Sequence, residues 1–276
     1  MNKKSLEIAC YVAGAGAFGV FFRWLQVQLA FDDAGLNKKS ALNLFVPALI
    51  IAAALLFAYF LDVWKARHVA PPEDFCRALY NPGRLFPILR WLAALIMIAG
   101  SVLLLMTTEA DPNADLIRVM CLLAFLSGLG FPFALAQANY DRFGHKAAVR
   151  LAMLMPVLLY ALWLVLSYIQ NSLNSVPRSY AMEMFALICA MMGFFRVSSF
   201  AFGVSCGYRA LFAAMMGASM CIMALADERN MGMQLLLLSS AGMLLLYVWI
   251  MVRNLDKKIK KVDAPEEDDG GFETLN

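Results

Sequence analysis

An all-α bundle of eight membrane-spanning helices is the fold this chain predicts. Three observations carry it. Of its 276 residues 62% are hydrophobic and only 16% are charged, whereas a water-soluble domain has about 25% charged and under ~50% apolar residues. The mean hydropathy is +0.68. The apolar residues fall into eight runs, each within or close to the ~17–25 residues a helix needs to cross the hydrocarbon. The runs also lack the two-residue alternation of barrel strands. Lipid tolerates no unpaired backbone, so spanning segments are helices or closed barrels, and helices remain. A soluble globule, a disordered chain and a disulfide-rich secreted fold are excluded.

The runs cover 8–31, 41–62, 91–107, 116–138, 150–169, 180–203, 208–226 and 232–252. They define one membrane domain over 1–253 and a tail over 254–276. The first run is longer than the ~7–15-residue core of a signal peptide and contains Arg23, so it is expected to persist as a span. Lysine and arginine counts set the orientation. With both termini on one side, that side holds 16 of them and the other only 5. Both termini are therefore expected in the cytoplasm, with the bundle in the plasma membrane.

The connection 63–90 opens on Pro71-Pro72-Glu73-Asp74 and closes on Asn81-Pro82-Gly83. A proline and acids in a first turn suit a helix start. A short interfacial helix is expected, with Phe75, Leu79 and Tyr80 towards lipid and Arg77 outward. In the tail, Lys257, Lys258, Lys260 and Lys261 should attract anionic headgroups. Residues 264–276 are acidic and nearly free of apolar side chains, as in disordered segments.

Several polar positions inside spans are candidates for chemistry. Arg23 lies roughly 12 Å inside the outer end of span 1, at 1.5 Å per residue. Ala9, Ala13, Gly16 and Gly19 lead up to Arg23 and Gln26 on one helical face. Small residues mark close helix contact, so Arg23 should face the protein interior. A buried guanidinium is costly unless paired or hydrated, so it reads as a ligand contact, as half of an ion pair, or as a side chain snorkelling to the outer headgroups. Glu183, at similar depth in span 6, is its expected partner. Arg196 lies in the inner third of span 6, followed by Ser199 on its face; Asp62 is a candidate counter-ion, and snorkelling to headgroups is the other reading.

Span 4 carries Ser127-Gly128-Leu129-Gly130-Phe131-Pro132 near its middle. Proline removes a helical hydrogen bond, and flanking glycines favour a kink or break; broken helices line many transport sites. Gln137, Asn139 and Tyr140 follow towards a cytoplasmic mouth. Pro47 and Pro156 read as simple kinks. Gly217-Ala218-Ser219 and the small run 239–242 read as helix-contact faces.

No cofactor is expected. His68 and His145 lie in charged loops, which excludes a buried bis-histidine haem. The six cysteines show no CxxC spacing and read as reduced packing residues. The 18 methionines read as adaptable core packing. No HExxH, Walker loop or GxSxG with a histidine is present, so the chain reads as a non-enzyme. No nucleic acid partner is expected either. The leading reading is a small-solute transporter or permease. Its site would lie between spans 1, 4 and 6, with Arg23, Gln26 and Glu183 facing an opened backbone at Gly128, Gly130 and Pro132, and with Gln137, Arg196 and Ser199 on the inner side. The solute would be small and anionic. The alternative is a scaffold, sensor or subunit with a membrane protein partner.

The segment Phe22-Arg23-Trp24-Leu25-Gln26 with Gly35-Leu36 resembles a pattern in uncharacterised eight-span membrane proteins of anaerobic bacteria. That resemblance implies the eight-span fold and no particular activity.

Overall fold

The computed structural model describes residues 3–29, 42–66, 69–70, 72, 74–108, 113–139, 146–171, 180–204, 207–227 and 229–257. The readings made for His68, His145, Cys206, Tyr140, Lys258, Lys260, Lys261 and 264–276 lie outside them. The described helices are α1 (Lys3–Leu29), α2 (Leu42–Ala66), α3 (Phe75–Ala78), α4 (Leu85–Met106), α5 (Ala114–Gln137), α6 (Lys146–Asn171), α7 (Ala181–Ser198), α8 (Gly207–Met223) and α9 (Met231–Arg253). All but α3 are part of eight helical segments long and apolar enough to cross a membrane. The chain is a multi-pass membrane protein by that measure. The helix ends near Lys65, Arg150, Arg209 and Arg253 form the basic end of the bundle; the opposite end is the far end.

Helices α4 to α9 form a closed ring. Consecutive helices pack from α4 round to α9, and α9 returns to α4. Helix α1 lies against α8 and α9 from outside the ring, and α2 packs on α1 and α8. Burial follows this order, with 78% of the apolar window of α9 covered by protein and only 22% of that of α2. Small residues make the close contacts, as their spacing predicts. A Cβ on Gly16 would stand 2.8 Å from Ile222 Cβ, and one on Gly19 would overlap Met223, both facing α1 to α8. A Cβ on Gly217 would reach the Cys189 carbonyl of α7 at 2.9 Å. Ser239 donates to the Ala93 carbonyl at 2.6 Å, joining α9 to α4.

Aromatic side chains fill the ring's middle. Phe131 of α5 meets Tyr247 of α9 edge-on at 5.3 Å. Tyr160 of α6 stacks on Trp163 at 5.9 Å and on Phe194 of α7 at 5.7 Å. Phe194 and Tyr247 complete the column at 6.4 Å. All five are buried. Four helices thus bury their largest side chains against one another.

Of the kink or break expected in span 4, the break is not there: α5 runs unbroken through Pro132. The glycines beside it serve neighbouring helices instead. A Cβ on Gly128 would meet Ile98 Cγ1 at 2.9 Å, and one on Gly130 would meet Ala152 of α6 at 3.2 Å. Packing on both sides holds the helical path, and proline is tolerated in membrane helices when neighbours support it.

The connection after α2 also differs from expectation. Helix α3 has only 4 residues, and Phe75, Ala78 and Leu79 are buried in protein rather than turned to lipid; Tyr80 and Arg77 are exposed as expected. Asparagines hold it. Asn81 Nδ2 donates to the carbonyls of Leu79 at 2.7 Å and Leu135 at 3.0 Å. Asn139 Oδ1 accepts from Asn81 N at 2.8 Å. Asn254 Nδ2 donates to the carbonyls of Ala78 and Tyr80 at 3.1 and 2.8 Å. Further out, Val69 and Ala70 pair antiparallel with Lys257 and Asp256. Non-helical backbone keeps its polar groups satisfied this way, and the segment is tied to the ends of α5 and α9 at the basic end. Asn81→Ala takes a donor from the Leu79 and Leu135 carbonyls and an acceptor from Asn139 Nδ2, which donates to Asn81 Oδ1 at 3.2 Å, and should cost about 1–3 kcal/mol. Equilibrium unfolding in mixed micelles measures it, and a loss below ~0.5 kcal/mol would mean that the clamp holds nothing.

Candidate functional site

At the far end, five parts of the chain bring polar side chains into one buried cluster. Arg23 Nε of α1 donates to Asp227 Oδ1 at 2.8 Å, both side chains being under 10% exposed. Arg229 Nη2 donates to the other carboxylate oxygen of Asp227 at 3.0 Å. Arg229 Nε stands 3.3 Å from Glu183 Oε2, an ion pair off the line of a hydrogen bond. Trp163 Nε1 donates to Glu183 Oε1 at 2.8 Å. On the other flank, Arg23 Nη1 donates to Gln26 Oε1 at 2.8 Å, and Gln26 Nε2 to Asn43 Oδ1 at 3.3 Å. Two guanidiniums therefore face two carboxylates, and their formal charges balance. Burial of such charges is tolerable only when each is paired and hydrogen-bonded.

The chain before α9 is built for this. After α8 a 3₁₀ turn over Ala224–Ala226 delivers Asp227, and only three residues separate Asp227 from the first residue of α9. Arg229 Nη1 donates to the Ala224 carbonyl at 3.0 Å, closing the turn. Asn230 caps α9 by accepting from Gly232 N at 2.9 Å, the usual role of asparagine at a helix start. Asp227 and Arg229 are thereby held against α1 and α7 at the end of the bundle.

The Arg23–Glu183 pair needs correction. The two belong to one cluster, but Asp227 and Arg229 stand between them. Asp227 and Arg229 were missed because they read as loop residues outside the span. The legible signal was the loop's shortness together with charges of both signs in it, Asp227, Glu228 and Arg229. Trp163 and Asn43 carried no sequence signal of their own.

Of the predicted site residues, Arg23, Gln26 and Glu183 come together. Gly128, Gly130 and Pro132 do not join them, because α5 packs between α4 and α6 while α1 packs on α2, α8 and α9. Gln137 lies at the basic end of α5, half-buried. Ser199 Oγ donates to the Arg196 carbonyl at 2.6 Å, which serves the end of α7. Asp62 pairs with Lys65 at 3.2 Å, one turn along its own helix, instead of with Arg196.

The cluster borders a cleft of about 370 Å³ between α1, α2 and α7. Arg23 and Gln26 are its polar lining; Val46, Pro47, Ile50, Met182 and Phe185 are among its apolar walls. Among the described residues no three His, Cys, Asp or Glu side chains gather as a metal site requires. Compared with protein-family models, curated proteins and solved structures, the chain matches none.

Proposed function

We propose that the protein is a transporter or permease for a small anionic solute, bound first in the far-end cleft. One observation supports this most: a cleft within the common ~300–1,000 Å³ range of ligand pockets has an arginine and a glutamine as its polar wall. Such a lining suits a solute with one anionic end and an apolar body. Asp227 and Gln26 hold the Arg23 side chain in place, so little ordering is left for binding to accomplish. The solute's path would follow the α2–α7 seam, since the ring's middle is filled with aromatic side chains. The charge distribution supports cytoplasmic termini and a plasma-membrane location. No catalytic step is proposed.

The test is charge-selective labelling at residue 50, read by peptide mass. Ile50→Cys should react with a membrane-impermeant anionic thiosulfonate several-fold faster than with its cationic counterpart. Gln26→Glu, which leaves the Arg23–Asp227 pair intact, should invert that order. A residue 50 that neither reagent reaches would remove the solute-accessible cleft, and the transport reading with it.

The second reading, a scaffold or subunit of a larger membrane complex, is favoured by the aromatic packing inside the ring. Under it, a fixed membrane partner co-purifies and residue 50 stays unlabelled.

A further inference from the structure

A second cavity opens at the basic end, apart from the cleft. It is a groove of about 450 Å³ between α2 and α7, floored by α8. Leu61, Ile188, Met192 and Phe212 line it with apolar surface, while Lys65, Arg196, Arg209 and Tyr208 also border it. Lys65 is the one with an acidic partner, Asp62, and it also stands 5.7 Å over the Tyr208 ring. The side chains of Arg196 and Arg209 make no ion pair or hydrogen bond among the described residues. Three cations facing one carboxylate leave an uncompensated charge of +2.

The placement of these groups matters as much as their sign. Arg196 is in the last turn of α7, six residues before the apolar segment ends at Phe202 at the basic end. Ile188 lies eight residues earlier on the same face, about 12 Å deeper at 1.5 Å per residue. The groove is therefore cationic towards the basic end of the span and apolar towards its middle. A free phosphate would use only its mouth. A phospholipid would use both parts, and guanidiniums bind phosphate oxygens through paired N–H donors.

We propose that this groove holds one anionic phospholipid, its phosphate between Lys65, Arg196 and Arg209 and an acyl chain along Ile188, Met192 and Phe212. The site differs from the basic tail, and it does not depend on the transport reading. Basic pockets between helices on the cytoplasmic side are a recurrent way to bind anionic headgroups.

The full chain, purified in detergent, is given equimolar dioleoyl phosphatidylglycerol and dioleoyl phosphatidylcholine, and bound lipid is counted by native mass spectrometry. Phosphatidylglycerol should be retained about tenfold or more over phosphatidylcholine, given the worth of each nearby cation. The double variant Arg196→Gln/Arg209→Gln should lose that preference, and Arg196→Lys/Arg209→Lys should keep most of it. Arg209→Gln alone, at an exposed position, should lower the ratio severalfold without disturbing the fold. Neutralising Lys257, Lys258, Lys260 and Lys261 should leave it intact. Equal retention of the two lipids overturns the proposal. So does a preference that follows the tail lysines instead of the arginines. So does one that appears only after residues 262–276 are removed, because the acidic tail would then be the occupant.

Discussion

Asp227→Asn should destabilise the bundle by about 3–5 kcal/mol, the range for breaking a buried ion pair from one side. Asp227 accepts from Arg23 at 2.8 Å and from Arg229 at 3.0 Å. Without its charge two guanidiniums face each other with Glu183 alone to balance them. Arg23→Gln should cost less, because Asp227 keeps its partner Arg229. The double variant Arg23→Gln/Asp227→Asn should cost clearly less than the sum, since it removes one charge of each sign and leaves Arg229 with Glu183. Coupling of this kind is what a double-mutant cycle isolates. The losses should also be nearly independent of salt, because buried pairs are screened far less than exposed ones. Unfolding in mixed micelles at low and high ionic strength measures both. Additive losses, or an Asp227→Asn cost under ~1 kcal/mol, would mean that the pair is not buried as described.

The same cluster shows where sequence reasoning reaches and where it stops. Arg23 and Gln26 were legible because charge inside an apolar run is costly and because a small-residue stripe leads up to them; Gly16 and Gly19 of that stripe do pack on α8. Glu183 was legible for the first reason. Its partner was not, because pairing depends on which helices become neighbours around a ring, and hydropathy carries no such information. In the same way Gly128 and Gly130 announce a thin place in α5 without saying whether a neighbour fills it. Ile98 and Ala152 do. Asn81, Asn139 and Asn254 sit in connections or at helix ends, and only the fold turns them into a clamp.

Trp163→Ala should rival Asp227→Asn in its effect, at about 3–5 kcal/mol, the usual cost of emptying a buried aromatic site. Trp163 is fully enclosed, stacks on Tyr160 and donates to Glu183. It therefore joins the aromatic column to the charge cluster, and its truncation damages both. Trp163→Phe separates the two contributions. Phenylalanine keeps most of the stacked volume but removes the N–H, leaving Glu183 one donor short, which should cost about 1–3 kcal/mol. The excess loss in the alanine variant then measures the column alone. The pair of variants also distinguishes a route through the ring from one along the α2–α7 seam. Trp163 does not line the far-end cleft, whose walls come from α1, α2 and α7. Along the seam, labelling of Ile50→Cys should keep its rate and its charge preference in Trp163→Phe while stability falls. If thinning the column instead raises access to residue 50 or removes the charge preference, the ring rather than the seam controls entry, and the cleft is its vestibule.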